Sequence, residues 1–175
     1  MDELQRELPD VEATQALACQ LASFVAAGGV VWLRGELGAG KTTFARSVLR
    51  ALGVAERIKS PTYSLVEHYP LASGNDAWHL DLYRIAGADE MDYLGLDALW
   101  APGAVSLVEW PERGGSAIPP ADLEIHLSQA LEAAGRHARI VPVSARAHAW
   151  LRQLAVMDPA GESSTGACAD AVPRA

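Results

Sequence analysis

Eight consecutive residues carry the clearest chemistry in the chain: Gly35-Glu36-Leu37-Gly38-Ala39-Gly40-Lys41-Thr42. A glycine, four free positions, then glycine, lysine and threonine is the spacing of a phosphate loop. Each residue type has a physical reason. Glycines let the backbone wrap closely round a polyphosphate, at φ values that other residues rarely adopt. Successive N–H groups then form an anion nest, helped by the dipole of the helix that follows. The residues Glu36, Leu37, Gly38, Ala39, Gly40, Lys41, Thr42 and Thr43 are thus predicted to cradle a nucleoside triphosphate. Lys41 is placed to reach the β- and γ-phosphates, and the Thr42 hydroxyl to ligate Mg²⁺. With this composition, about one shuffled chain in 800 would contain the pattern.

A phosphate loop needs a further acid on the metal side, usually at the end of a neighbouring apolar strand. Two residues qualify. Glu109 ends the apolar run Val105-Ser106-Leu107-Val108, and Asp81 follows Trp78-His79-Leu80. Each also has a plainer reading. Glu109 would serve as a solvated strand end, and Asp81 as a salt-bridge partner of Arg84 or a cap for the next turn. An acid closing an apolar strand is easier to explain as a ligand. Thr62, in Ser60-Pro61-Thr62-Tyr63, stands where a switch segment senses the γ-phosphate. An ordinary proline turn entering a strand explains it equally well. His79 reads as a packed or surface histidine, Cys19 as buried packing, and Trp110 as a shield for the site. The two cysteines, Cys19 and Cys168, offer no metal-ligand spacing.

The elements that must position these residues can be outlined. Glu7 to Asp10 reads as a strand end and a turn. Ala13, Leu17, Leu21, Phe24 and Val25 recur at helical spacing, after a cap at Asp10 or Thr14 and before Gly28-Gly29. Val30 to Leu33 is apolar throughout, as in a strand buried on both faces. The phosphate loop follows, and then a helix over Phe44 to Leu52 that ends at Gly53. Ser64–Tyr69 and Trp78–Leu82 read as a hairpin. Residues 88–99 read as one or two short helices, and 104–109 as a strand. Residues 111–120 form a loop rich in Gly and Pro. Two paired strands, 123–127 and 138–143, and a helix over 146–156 complete the outline. Strand, glycine-rich loop and helix in that order predict an α/β, single-domain, phosphate-loop NTPase-like fold: a mixed sheet with flanking helices. The domain is expected to span 1–157. Residues 158–175, mostly Gly, Ser, Ala, Asp and Pro, read as a disordered tail.

Composition narrows the functional classes. The 175 residues are 50% hydrophobic, enough for one ordinary core. The net charge of −8 argues against a surface that itself grips a phosphate backbone. It leaves room for an assembly in which another subunit supplies that surface. No apolar run approaches a membrane span, and the acidic start MDELQRELPD lacks the features of a secretory signal. A cytoplasmic protein is expected.

Four blocks, GELGAGKTT, SPTYSLVEHY, HLDLYR and SLVEWPERG, in this order and at these intervals, resemble the bacterial TsaE family. The closing segments DLEIHL and GRHARIVPVS are similar to that family's last two strands, so the resemblance covers about residues 8–144. It implies a small ATPase that uses ATP and Mg²⁺. It also implies work with the TsaD and TsaB proteins to make threonylcarbamoyladenosine at position 37 of tRNAs that read codons beginning with A. tRNA contact would be indirect, through the complex. Residue by residue, it implies that Lys41 binds phosphate and that Thr42, Asp81 and Glu109 hold the metal. Lys41, Asp81 and Glu109 would carry catalysis, and Thr62 falls in a switch-like segment. Thr14 and Arg136 are the nearest matches to the residues that meet the adenine end. Two other readings stay open at this point: a small-molecule or nucleoside kinase, and a binding module that uses ATP only to set its shape.

Overall fold

The computed structural model describes residues 2–86, 90–91, 96–130 and 135–157. Strand β1 (Leu4–Leu8) leads through a turn into helix α1 (Val11–Val25). The Asp10 side chain caps that helix, accepting the Ala13 N–H at 2.7 Å. A capping carboxylate satisfies one of the donors that every helix start leaves open. Leu17, Ala18, Leu21, Ala22 and Val25 are buried along one face of α1. Strand β2 (Gly29–Arg34) runs to the phosphate loop, and helix α2 (Lys41–Ala51) leaves it. Then come β3 (Val66–Pro70), β4 (Asp76–Asp81), β5 (Val105–Glu109), β6 (Leu123–Gln129), β7 (Arg136–Pro142) and α3 (Ala145–Met157). The hairpin expected over 64–82 is the antiparallel β3–β4 pair. The 111–120 loop holds two short 3-10 turns, Pro111–Arg113 and Gly115–Ala117. Of the short helices expected over 88–99, a 3-10 turn at Leu96–Trp100 is described. Most of the remainder lies outside the described residues, as does the 158–175 tail.

The seven strands form one mixed sheet in the order β1-β7-β6-β2-β5-β4-β3. Strands β6, β2, β5 and β4 are mutually parallel. Antiparallel strands extend both flanks: β3 on β4, β7 on β6, and β1 on β7. Position explains composition. The interior strand β5 is buried at every residue, so its run is apolar up to Glu109 except for the small, buried Ser106. Strands β6 and β7 have one solvated face and alternate.

Two cores sandwich the sheet. One contains Leu33, Leu107 and Ile125 with Leu17 and Leu21 of α1, Phe44 and Leu49 of α2, and Leu151 of α3. The other contains Leu80, Val108, Leu82, Ile85, Leu99 and Ile118, with Trp32 and Trp110 packed against it. Neighbouring residues such as Leu107 and Val108 fall in different cores because successive side chains of a strand point to opposite faces. Among the described residues, no helix is long and apolar enough to cross a membrane.

A buried acid ties the start of the central strands together. The Asp122 carboxylate accepts the Val30 N–H at 3.0 Å and the Arg146 Nε–H at 2.8 Å. Its own backbone joins Val30, Val143 and Ser144. Burial pushes the Asp122 carboxyl up, but hydrogen bonds from Arg146, Ser144 and the Val30 amide outweigh it and hold the group below its ordinary 3.8. Because the folded value is the lower one, this stabilisation is present at neutral pH. It is lost as pH falls through the depressed value. Asp122→Ala is expected to destabilise the protein by about 1–3 kcal/mol at pH 7, mainly by leaving the Val30 N–H without a partner. Arg146 is half exposed and adds little beyond that. Urea denaturation of both proteins from pH 7 to pH 3 checks this: the gap should shrink as Asp122 protonates.

Candidate active site

The phosphate loop joins the carboxyl end of β2 to the start of α2, beside the carboxyl ends of β5 and β4. In open parallel sheets, ligands bind at this end of the strands. Gly35 leaves the strand at φ +139°, and a Cβ there would stand 2.2 Å from the Leu127 carbonyl oxygen. No other residue type fits that position without moving β6. Gly38 and Gly40 also have positive φ, and Gly40 is the residue from which α2 begins. The Ala39 N–H bonds back to the Glu36 carbonyl at 3.2 Å, which closes the turn. Leu37, at the tip of the loop, is strongly exposed.

Lys41 is buried against its own loop. Its Nζ donates to the carbonyls of Gly35 at 2.7 Å and Glu36 at 2.8 Å. The same ammonium lies 4.0 Å from the centre of the Trp110 ring, within cation–π range. Trp110 gets there through an unusual backbone, φ 57° and ψ 48°, which few non-glycine residues adopt. Burial pulls the Lys41 pKa below its ordinary value, while the negative charges of Glu109, Asp81 and Glu112 work the other way.

Strand register brings the acids to the loop. Asp81 and Glu109 are paired across β4 and β5, and Glu109 is paired with Leu33, two residues before the loop. Both carboxylates are buried. The Thr42 hydroxyl donates to Glu109 Oε2 at 3.0 Å. Thr62 donates to Asp81 Oδ2 at 3.2 Å and is bonded to Ser60 at 2.9 Å. Thr62 therefore belongs to the same cluster. Asp81 Oδ1 accepts the Tyr83 N–H at 3.1 Å, so this acid also caps the turn that follows it. Arg84 lies over the Tyr63 ring.

A magnesium ion suits this donor set. Two carboxylates and a hydroxyl are hard oxygen ligands, and such ions are commonly held by one or two carboxylates together with substrate phosphates. Among the described residues, no three His, Cys, Asp or Glu side chains converge as a complete metal-holding group.

A second region lies on the other side of the loop. Thr14 and Arg136 line a cavity of about 240 Å³ together with Ala39, Gly40 and Thr43. Arg136 also clasps the loop from outside, donating to the carbonyls of Ala39 at 3.2 Å and Gly38 at 3.4 Å. The Thr14 hydroxyl bonds to the Asp10 carbonyl within its own helix. A larger, open concavity of about 550 Å³ crosses β1, β6 and β7, near His126, His137 and Arg139. It carries none of the phosphate-loop residues.

His79, read from the sequence as a packed or surface histidine, is fully buried, and its Nε2 lies 2.8 Å from Glu109 Oε1, a contact the sequence reading missed. Its place two residues before Asp81, on the same strand face, was the available signal.

The fold is that of an α/β protein, phosphate-loop NTPase-like in its order of strand, glycine-rich loop and helix. The narrower assignment comes from its relatives. Residues 8–138 match the family model described as "Threonylcarbamoyl adenosine biosynthesis protein TsaE". The chain belongs to the TsaE family. It is 35% identical over 134 residues to the tRNA threonylcarbamoyladenosine biosynthesis protein TsaE of Bacillus subtilis, covering 74% of this chain and 80% of that one. It is 41% identical over 98 residues to the Haemophilus influenzae protein of the same name, covering 56% of this chain and 61% of that one. The latter match is thus under two thirds of that relative's length. The crystal structure of Bacillus subtilis YdiB superposes with a TM-score of 0.73 at 30% identity, covering 89% of this chain and 96% of that one.

Proposed function

We propose that this chain binds and hydrolyses ATP with Mg²⁺, as the accessory ATPase of the complex that makes threonylcarbamoyladenosine at position 37 of tRNAs reading codons beginning with A. Its partners in that reading are the TsaD and TsaB proteins, in the cytoplasm. The observation that carries the proposal is the meeting of Thr42, Glu109 and Asp81 at the mouth of the phosphate loop. The names of the chain's relatives support the biosynthetic role.

In this reading the loop amides and Lys41 take the phosphates, with Lys41 exchanging its two carbonyl partners for phosphate oxygens. Thr42, Asp81 and Glu109 would hold Mg²⁺, which when bound neutralises charge on the phosphates. Thr62 links the 60–63 segment to Asp81 and so to the state of the site. Thr14 and Arg136, which line one cavity beside the loop, would meet the adenine end. Water attacks the γ-phosphate in line, and the charge that develops is met by Lys41 and the loop amides. Arg84 rests on Tyr63 rather than on the loop, so the lone protein is expected to turn over slowly. The net charge of −8 suits docking on a basic patch of the complex, with tRNA held by other subunits.

ATP hydrolysis by the purified protein, alone and with TsaD and TsaB, tests the proposal. Slow turnover alone, changed by the partners and accompanied by tRNA modification, is the expected result. Turnover indifferent to both partners would overturn the assigned role, and phosphorylation of a panel of nucleosides would be measured next.

A further inference from the structure

His79 invites explanation because a buried imidazole is an expensive way to fill space. It has no exposed surface, and its Nδ1 has no hydrogen-bond partner among the described residues. A leucine would pack there without burying two polar nitrogens. Among the described residues, the His79 side chain makes its polar contact with Glu109. That carboxylate is itself almost fully buried and needs donors on both oxygens. Thr42 supplies one at Oε2 and His79 the other at Oε1. A carboxylate only accepts, so the proton of this bond sits on Nε2.

The geometry is set by the sheet. His79 pairs with Leu107, and Asp81 with Glu109. His79 therefore reaches Glu109 diagonally, from beneath, on the face that holds the acids. From there it occupies one carboxylate oxygen and leaves the other turned to Thr42. Without it, the Glu109 carboxylate is free to rotate and to turn either oxygen inward.

We infer that His79 is a positioning residue: it orients the Glu109 carboxylate so that Oε2 faces Thr42 and the metal side of the phosphate loop. This rests on the ATP and Mg²⁺ reading given above. Partners that orient a ligand in this way commonly contribute about 10- to 100-fold to metal affinity.

The test compares His79→Gln, His79→Asn and His79→Leu. A glutamine places its amide nitrogen close to where the histidine has Nε2; an asparagine falls short, and a leucine has no donor. Binding of a fluorescent ATP analogue is measured in EDTA and in Mg²⁺, and the tightening caused by Mg²⁺ is read as a ratio. Wild type should show clear tightening, with His79→Gln within about threefold of it, while His79→Asn and His79→Leu lose about 10- to 100-fold of the ratio. Affinity in EDTA should be unchanged in all three. Three results would overturn the inference. One is a normal ratio in His79→Asn and His79→Leu while Glu109→Gln loses it. The second is His79→Gln behaving as badly as His79→Asn. The third is loss of binding in EDTA as well, which marks a role in folding alone. If wild type itself shows no tightening by Mg²⁺, the metal reading of the whole site fails, and the positioning role falls with it.

Discussion

Lys41→Ala is expected to lower ATP turnover by about 10²–10³-fold, the usual loss when a preorganised donor to transition-state charge is removed. The argument is local. Whereas Arg136 bonds the loop from outside, Lys41 is held inside it by two loop carbonyls and the Trp110 ring. Its companions there are Thr42, Glu109 and Asp81, which bear hydroxyl and carboxylate oxygens. No other side chain in the cluster can replace its charge on a phosphate. The same substitution should leave the fold largely intact, because an alanine at the first position of α2 is well tolerated in a helix. Steady-state hydrolysis at saturating ATP, with circular dichroism as the control for folding, checks both halves. Retention of more than a tenth of wild-type turnover would place the chemistry outside this loop.

The second large effect concerns stability. Phe44 is fully buried on α2, one turn below the phosphate loop. It lies in the core that α1, α2 and α3 share with the sheet. Phe44→Ala should destabilise the protein by about 3–5 kcal/mol, the sum of lost apolar transfer and the cavity left behind. That is a large share of the roughly 5–15 kcal/mol by which domains are ordinarily stable. The denaturant midpoint should fall with the slope unchanged. ATP affinity should suffer at temperatures well below the melting point, since Phe44 anchors the helix whose first residues close the loop. A shift of under 1 kcal/mol would show that α2 repacks over the gap.

The outline of the fold was readable because its signals are local. Capping at Asp10, the helical spacing of Leu17 and Leu21, the apolar run of β5 and the hairpin turn between β3 and β4 each depend on a few neighbouring residues. The helix and strand bounds accordingly fall close to those expected. The phosphate loop was readable for the same reason, as its function depends on backbone shape and one lysine within eight residues.

Other features were not readable because they are made by register. The sequence leaves Asp81 open between a pair with Arg84, a turn cap and a metal-side acid. The fold sets it beside Glu109, gives it the Tyr83 N–H and the Thr62 hydroxyl, and sends Arg84 to Tyr63. Thr14 and Arg136, 122 positions apart in sequence, share a cavity because α1 and the start of β7 flank the same loop.

By itself, then, the sequence determined that this is an α/β chain with a phosphate loop between a buried strand and a helix, and that two apolar strands carry an acid near their ends. Only the tertiary structure decided which residues those acids touch. The distance between Glu109 and His79 depends on how β4 aligns with β5, and neither strand carries that alignment in its own residues. Hydrophobic pattern selects the face a side chain takes, but pairing between strands far apart in sequence selects its neighbour.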